Sequence, residues 1–215
     1  MLIDTAPLWI AATNTYVVAS ERGGFAVVID CPPDPEGIGL LLRKHELIPI
    51  AALVTHAHID HLGGAGSLAR ATGVDVHLHP DDAFLAMAPE QQLSLLFGAH
   101  MPDLDVNPPA AYVDLVDGAR LSLAGLDIDV VHTPGHTPGH CCFLIDGVLF
   151  SGDQLFAGSI GRTDLPGGDF TALMASMEAK ILTLDDDVDV LPGHGPPTTI
   201  ANERASNPFL AQFRA

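Results

Sequence analysis

The chain has 215 residues, a length suited to one domain spanning 1–215, and its 47% hydrophobic and 17% charged residues fill a core and exclude disorder. The formal net charge of −18 excludes nucleic acid and anionic membranes as expected partners. Three cysteines, two of them adjacent, exclude a disulfide framework and point to a reducing compartment. With no secretory pattern at the N-terminus and no apolar run of bilayer length, the expected location is cytoplasmic.

In chain order, NTYVVAS (14–20) and FAVVID (25–30) are rich in β-branched residues and are separated by ERGG, which predicts a hairpin. PEGIGLLLRKHEL (35–47) places Ile38, Leu41, Leu42 and His45 at helical spacing. AALVT (51–55) reads as a buried strand, LGGAGSLARATG (62–73) as a helix ended by glycine, and VDVHLH (74–79) as another strand. Residues 80–100 read as two short helical pieces broken at Pro89, and 101–111 as an ordered loop or flap. Strands follow at 126–133, 141–146 and 148–153. The clearest amphipathic helix is 169–184, with Asp169 as its N-cap, and a last strand runs from 188 into a turn at Gly195. This pattern predicts sheets covered by helices.

The segment THAHIDH (55–61) carries the strongest chemical signal. His56, His58, Asp60 and His61 offer three imidazoles and a carboxylate at the end of a strand, and both donor types suit a first-row metal such as zinc. His56 and His58 lie two apart and point the same way from an extended segment, whereas Asp60 and His61 sit where the chain turns into a helix. One stretch can therefore serve two metals. Three further pieces each place a potential ligand at a strand-to-loop junction: TPGHTPGH (133–140), SGD (151–153) and PGHG (192–195). Within TPGHTPGH, Pro134-Gly135 and Pro138-Gly139 place His136 on a loop. His132 and His140 fall at strand ends, where a histidine more readily hydrogen-bonds a ligand than binds metal.

THAHIDH, TPGHTPGH, FSGD and LPGHG, in that order, form a motif set that resembles the metallo-β-lactamase superfamily, and within it the glyoxalase II branch in its short bacterial form. GRTDLPGGDF (161–170) and ERASNPFL (203–210) resemble that short form. The resemblance implies an α/β fold, a four-layer αβ/βα sandwich, and two divalent metal ions: zinc first, with iron or manganese as alternatives. It assigns His56, His58 and His136 to the first metal and Asp60, His61 and His194 to the second. Asp153 bridges both, Asp60 and Asp153 act in catalysis, and His140 supports the ligands. Arg162 falls where glyoxalase II carries a cation that contacts glutathione.

The expected chemistry is thioester hydrolysis by a metal-bridging hydroxide, because metals about 3.5–4 Å apart activate water at neutral pH and no separate general acid is evident. A thiol, with pKa about 8.5, departs unprotonated where an amine does not. The substrate that the resemblance implies is an S-2-hydroxyacyl thioester of glutathione, a small-molecule partner; oligomeric state is not readable. GRTD also resembles the persulfide dioxygenases, which carry one iron, although this chain keeps His140 and both half-sites. Another superfamily hydrolase, such as a lactonase, is a further alternative. A β-lactamase would lack an aspartate bridge at position 153, and a structural zinc site would be closed and rich in cysteine. Cys31, Cys141 and Cys142 are expected to pack as small apolar residues, and His45, His77, His79 and His100 to lie outside the metal site.

Overall fold

The computed structural model describes residues 1–98, 101 and 103–214. The strands in chain order are β1 (Leu2–Leu8), β2 (Thr13–Ala19), β3 (Phe25–Ile29), β4 (Ile48–Leu53), β5 (Asp75–Leu78), β6 (Val113–Asp114), β7 (Arg120–Leu123), β8 (Leu126–His132), β9 (Cys141–Ile145), β10 (Val148–Gly152), β11 (Leu155–Phe156), β12 (Ser159–Ile160), β13 (Asp189–Pro192) and β14 (Thr198–Thr199). The helices are α1 (Pro35–Lys44), α2 (Ile59–Leu62), α3 (Ala65–Thr72), α4 (Ala83–Ala86), α5 (Pro89–Phe97), α6 (Phe170–Ser176) and α7 (Ile200–Ser206). Two six-stranded sheets run β1-β2-β3-β4-β5-β6 and β14-β13-β10-β9-β8-β7.

Side-chain alternation along the strands divides the core into layers. In β2, Val17 packs outward with α1 and α3 residues such as Leu41 and Leu68. Its neighbour Val18 packs inward between the sheets, against Ile128, Val130 and Phe143. Adjacent cysteines split in the same way: Cys141 faces the layer between the sheets, and Cys142 faces Leu173, Met177 and Ile200 from the helices on the second sheet. All three cysteines are buried and free, so they fill space as small apolar groups. Helices outside and two sheets inside make the four-layer αβ/βα sandwich.

Local chemistry explains where the elements begin and end. Asp34 caps α1 by accepting a hydrogen bond from the Gly37 amide at 2.9 Å, with Pro35 in the first turn. Asp169 caps α6 through the Ala172 amide at 3.0 Å. Gly73 ends α3 with φ +78°. Three differences from the sequence reading stand out. β1 is an added edge strand on β2, and its uneven exposure gives no clean alternation to read. The helix expected over 62–73 is two helices, α2 and α3, meeting at Gly63-Gly64. The helix expected over 169–184 leaves the α form after Ser176 for one π turn, Met177–Ile181. Residues 101–111, where described, form neither helix nor strand, and Val106 is packed on Ile59 and Leu93. His100 lies outside the described residues. No helix among the described residues is long and apolar enough to cross a membrane.

Candidate metal centre

Four segments meet at one end of the paired sheets: the stretch after β4, the loop between β8 and β9, the end of β10 and the end of β13. His56 Nε2, His58 Nδ1 and His136 Nε2 form a triangle with edges of 3.0, 2.9 and 3.1 Å. Asp60 Oδ2, His61 Nε2 and His194 Nε2 form a second, with edges of 3.4, 3.2 and 3.2 Å. Asp153 lies against both: its Oδ2 is 3.5 Å from His136 Nε2 and 3.7 Å from His194 Nε2, and its Oδ1 is 3.4 Å from His61 Nε2.

The outward-facing nitrogens fix the imidazole tautomers. His136 Nδ1 donates to the Arg162 carbonyl at 2.7 Å, leaving the Nε2 lone pair to face the triangle. The Thr55 hydroxyl donates to the Asp30 carboxylate, so its oxygen accepts from His56 Nδ1 at 3.0 Å. His61 Nδ1 donates to Asp30 Oδ2 at 2.7 Å. The Nε2 atoms of His56 and His136 are therefore both acceptors, aimed at each other across 3.1 Å. Two converging lone pairs repel unless a cation lies between them. Ligand atoms about 2.0–2.1 Å from a tetrahedral zinc stand roughly 3.3 Å apart, close to these edges. Asp153 Oδ1 is buried with no hydrogen-bond partner among the described residues, as an oxygen reserved for an ion would be. The donor set fits two divalent ions.

The charges differ between the halves. Burial, reinforced by His136, lowers His58 to about pKa 3, and burial lowers His136 to about 4 against the pull of the Arg162 carbonyl. Burial also opposes a charge on His61, but Asp60, Asp30 and Asp153 outweigh it and hold its pKa well above the usual value. Burial lowers His194 too, yet its bond to Asp60 and the Asp153 charge raise it overall. The His194 side chain is 31% exposed, so this half opens to solvent.

His140 points elsewhere. Its Nε2 accepts the Asp153 backbone N–H at 3.0 Å, and its Nδ1 donates to the Thr133 hydroxyl at 2.8 Å. The His132 ring stacks on His79 at 3.9 Å, with planes 8° apart, and donates to the Pro138 carbonyl. Asp81 stands beside this pair, but an ion in the plane of one ring lies out of the plane of the other. The Arg162 guanidinium is exposed and forms a two-point pair with Asp164, both bonds 2.7 Å, at the edge of a cavity of about 440 Å³ over the two triangles.

Several positioning residues escaped the sequence reading. Asp30, in the left-handed region at φ +58°, follows β3 and holds both Thr55 and His61; an acid at the end of an apolar strand is the same signal that marks Asp153. Asp82 is fully buried and joins two ligand-bearing loops. Its Oδ2 accepts from the Ala57 amide at 2.9 Å and the Thr137 hydroxyl at 2.8 Å, and its Oδ1 from the Gly139 amide at 2.6 Å. Gln92 accepts from the Ile59 amide and donates to the Ala57 and Leu85 carbonyls. The Thr13 hydroxyl donates to Asp60 Oδ2 at 3.0 Å. Nothing local in the sequence marks Asp82, Gln92 or Thr13.

Paired sheets under helices, with a histidine–aspartate cluster where their loops meet, define a metal-dependent hydrolase class. The chain belongs to the metallo-β-lactamase superfamily, whose family model matches residues 9–194. It is 39% identical to the hydroxyacylglutathione hydrolase GloC of Haemophilus influenzae, over 98% of each chain. It is 38% identical to BLEG-1, a B3 metallo-β-lactamase, with a TM-score of 0.89 over 98% of this chain and 100% of that one. A protein crystallised in a di-iron-bound form is 40% identical, with a TM-score of 0.84 over 98% of this chain and 100% of that one.

Proposed function

We propose that the protein is a thioester hydrolase that cleaves S-2-hydroxyacylglutathione. In this reading His56, His58 and His136 hold one divalent ion, Asp60, His61 and His194 a second, and Asp153 contacts both. When bound, such ions lower the pKa of water to near 7 and polarise a carbonyl. Zinc suits the donor set, and the di-iron-bound relative keeps iron in view.

One observation carries the choice of substrate. Among the described residues lining the cavity, every titratable side chain except Arg162 belongs to the seven candidate ligands. An arginine stays protonated and is no general acid. A site with no further side-chain acid suits a leaving group that departs as an anion, which a thiolate does and an amine does not. Asp60, itself buttressed by Thr13, is placed to orient the nucleophile, and burial against its charge is outweighed by His61 and His194, so it stays ionised. Arg162 lines the cavity with its Nε and Nη2 paired to Asp164, and its Nη1, which that pair does not use, is the group to meet a carboxylate of the thiol carrier. The GloC relative supports glutathione as that carrier.

The resemblance to BLEG-1 favours a second reading, a β-lactam substrate, whose strained amide departs more readily than an ordinary one. Steady-state hydrolysis by metal-replete protein, measured side by side on S-2-hydroxyacylglutathione, a β-lactam and a lactone, with oxygen uptake on glutathione persulfide, separates the readings. Turnover of the thioester at the highest kcat/KM is expected; inertness toward thioesters with turnover of another substrate would sink the proposal.

A further inference from the structure

A second, smaller cavity of about 130 Å³ adjoins the first. The two share His58, Leu96 and Leu165, so the smaller one opens directly beside a candidate metal ligand. Its walls come from α4 and α5 on one side and from the loop after Arg162 on the other, chiefly Phe84, Leu85, Leu95 and Pro166. Gln92 also lines it, but both ends of its amide are consumed by backbone groups. Phe84 and Leu95 are 50% and 61% exposed, large apolar side chains left facing water at the entrance. A water needs only about 10–15 Å³ of comparable space, so the cavity holds several carbon atoms.

We propose that this pocket is an acyl-chain subsite, making the preferred substrate a thioester with an aliphatic acyl group of several carbons. The inference rests on the thioester reading and deepens it. The scissile carbonyl must lie over the two triangles, and its two substituents must leave in different directions. Arg162 lines only the larger cavity and suits a charged thiol carrier. The apolar pocket beyond His58 is left for the acyl side, where burial drives binding.

The test uses metal-replete protein and S-2-hydroxyacylglutathiones with chains of two to eight carbons, acetyl to octanoyl in length. Burial of each methylene allows up to about a fourfold gain in kcat/KM until the pocket is full, and at least a tenfold rise from acetyl to hexanoyl is expected. Ala88→Phe, which projects a ring into the pocket, should cut the hexanoyl-to-acetyl ratio at least fivefold. Leu95→Gln, at an exposed position that leaves packing intact, should also lower it. A flat or falling series, or a ratio that neither variant moves, would overturn the subsite. Binding of hexanoate and acetate by calorimetry separates the two claims. If no thioester is cleaved yet hexanoate binds at least tenfold tighter than acetate, the pocket stands and the thioester reading fails; equal binding overturns the pocket.

Discussion

The Nε2 atom of His140 accepts the backbone N–H of Asp153 at 3.0 Å, so the second histidine of TPGHTPGH fixes the residue that lies between the two triangles. His140 is fully buried, and burial followed by the nearness of His136 keeps its pKa well below the ordinary value. A neutral ring is what an N–H donor requires as its acceptor.

His140→Ala should therefore keep about two ions per chain and lower kcat/KM by roughly 10–100-fold, the usual cost of losing a group that orients a ligand. It should also cost about 1–3 kcal/mol of stability, because the Asp153 amide is left unpaired. Asp153→Ala and His136→Ala should both lose metal and nearly all activity. Elemental analysis beside kinetics checks this; metal loss in His140→Ala as complete as in those two would contradict a role limited to orienting Asp153.

Asp82 makes the corresponding link between loops. Three donors converge on its buried carboxylate, from the segments that carry His58 and His136. Hydrogen bonds to a charged group contribute about 1.5–3 kcal/mol each, so Asp82→Ala should destabilise the fold by at least about 3 kcal/mol. Urea unfolding measures it, and a loss below about 1 kcal/mol would contradict the clamp.

Gly193 precedes His194, and a Cβ there would stand 2.5 Å from Asp153 Oδ1 and 2.7 Å from His61 Cε1. Gly193→Ala should fold, yet bind metal about 10–100-fold more weakly by displacing Asp153. Metal titration followed by calorimetry reads this directly; wild-type affinity would show that the carboxylate has room to move.

Acid should empty the centre in order. A metal-binding imidazole must be neutral, so protons compete with the ion. His61 and His194 are raised above the histidine value of 6.5, and protonation competes with an ion there as soon as pH falls toward it. His58 and His136, near 3 and 4, stay neutral well below that point. Dialysis from pH 7.5 down to about 5 should take the metal content from two ions toward one, with activity falling in parallel. Simultaneous loss of both ions would contradict the charge asymmetry between the halves.

How much of this was legible in the sequence depended on whether a signal was local. THAHIDH shows its donors within six residues, and glycine and proline mark the turns that carry His136 and His194. Cys141 and Cys142 illustrate the limit for the core: alternation predicts opposite faces, but not that one face meets a second sheet and the other meets helices. Asp82 serves the site across 25 residues to Ala57 and 55 to Thr137, and no local pattern encodes such a pairing. The same holds for Arg162, whose backbone carbonyl orients His136 although its side chain was the expected contributor.

The most direct test of the central claim is the hydrolysis of S-2-hydroxyacylglutathione by protein carrying two divalent ions per chain. Thiol release should be abolished by chelation, restored by metal, and lost in Asp153→Ala. Protein loaded with both ions but inert toward this thioester would contradict it.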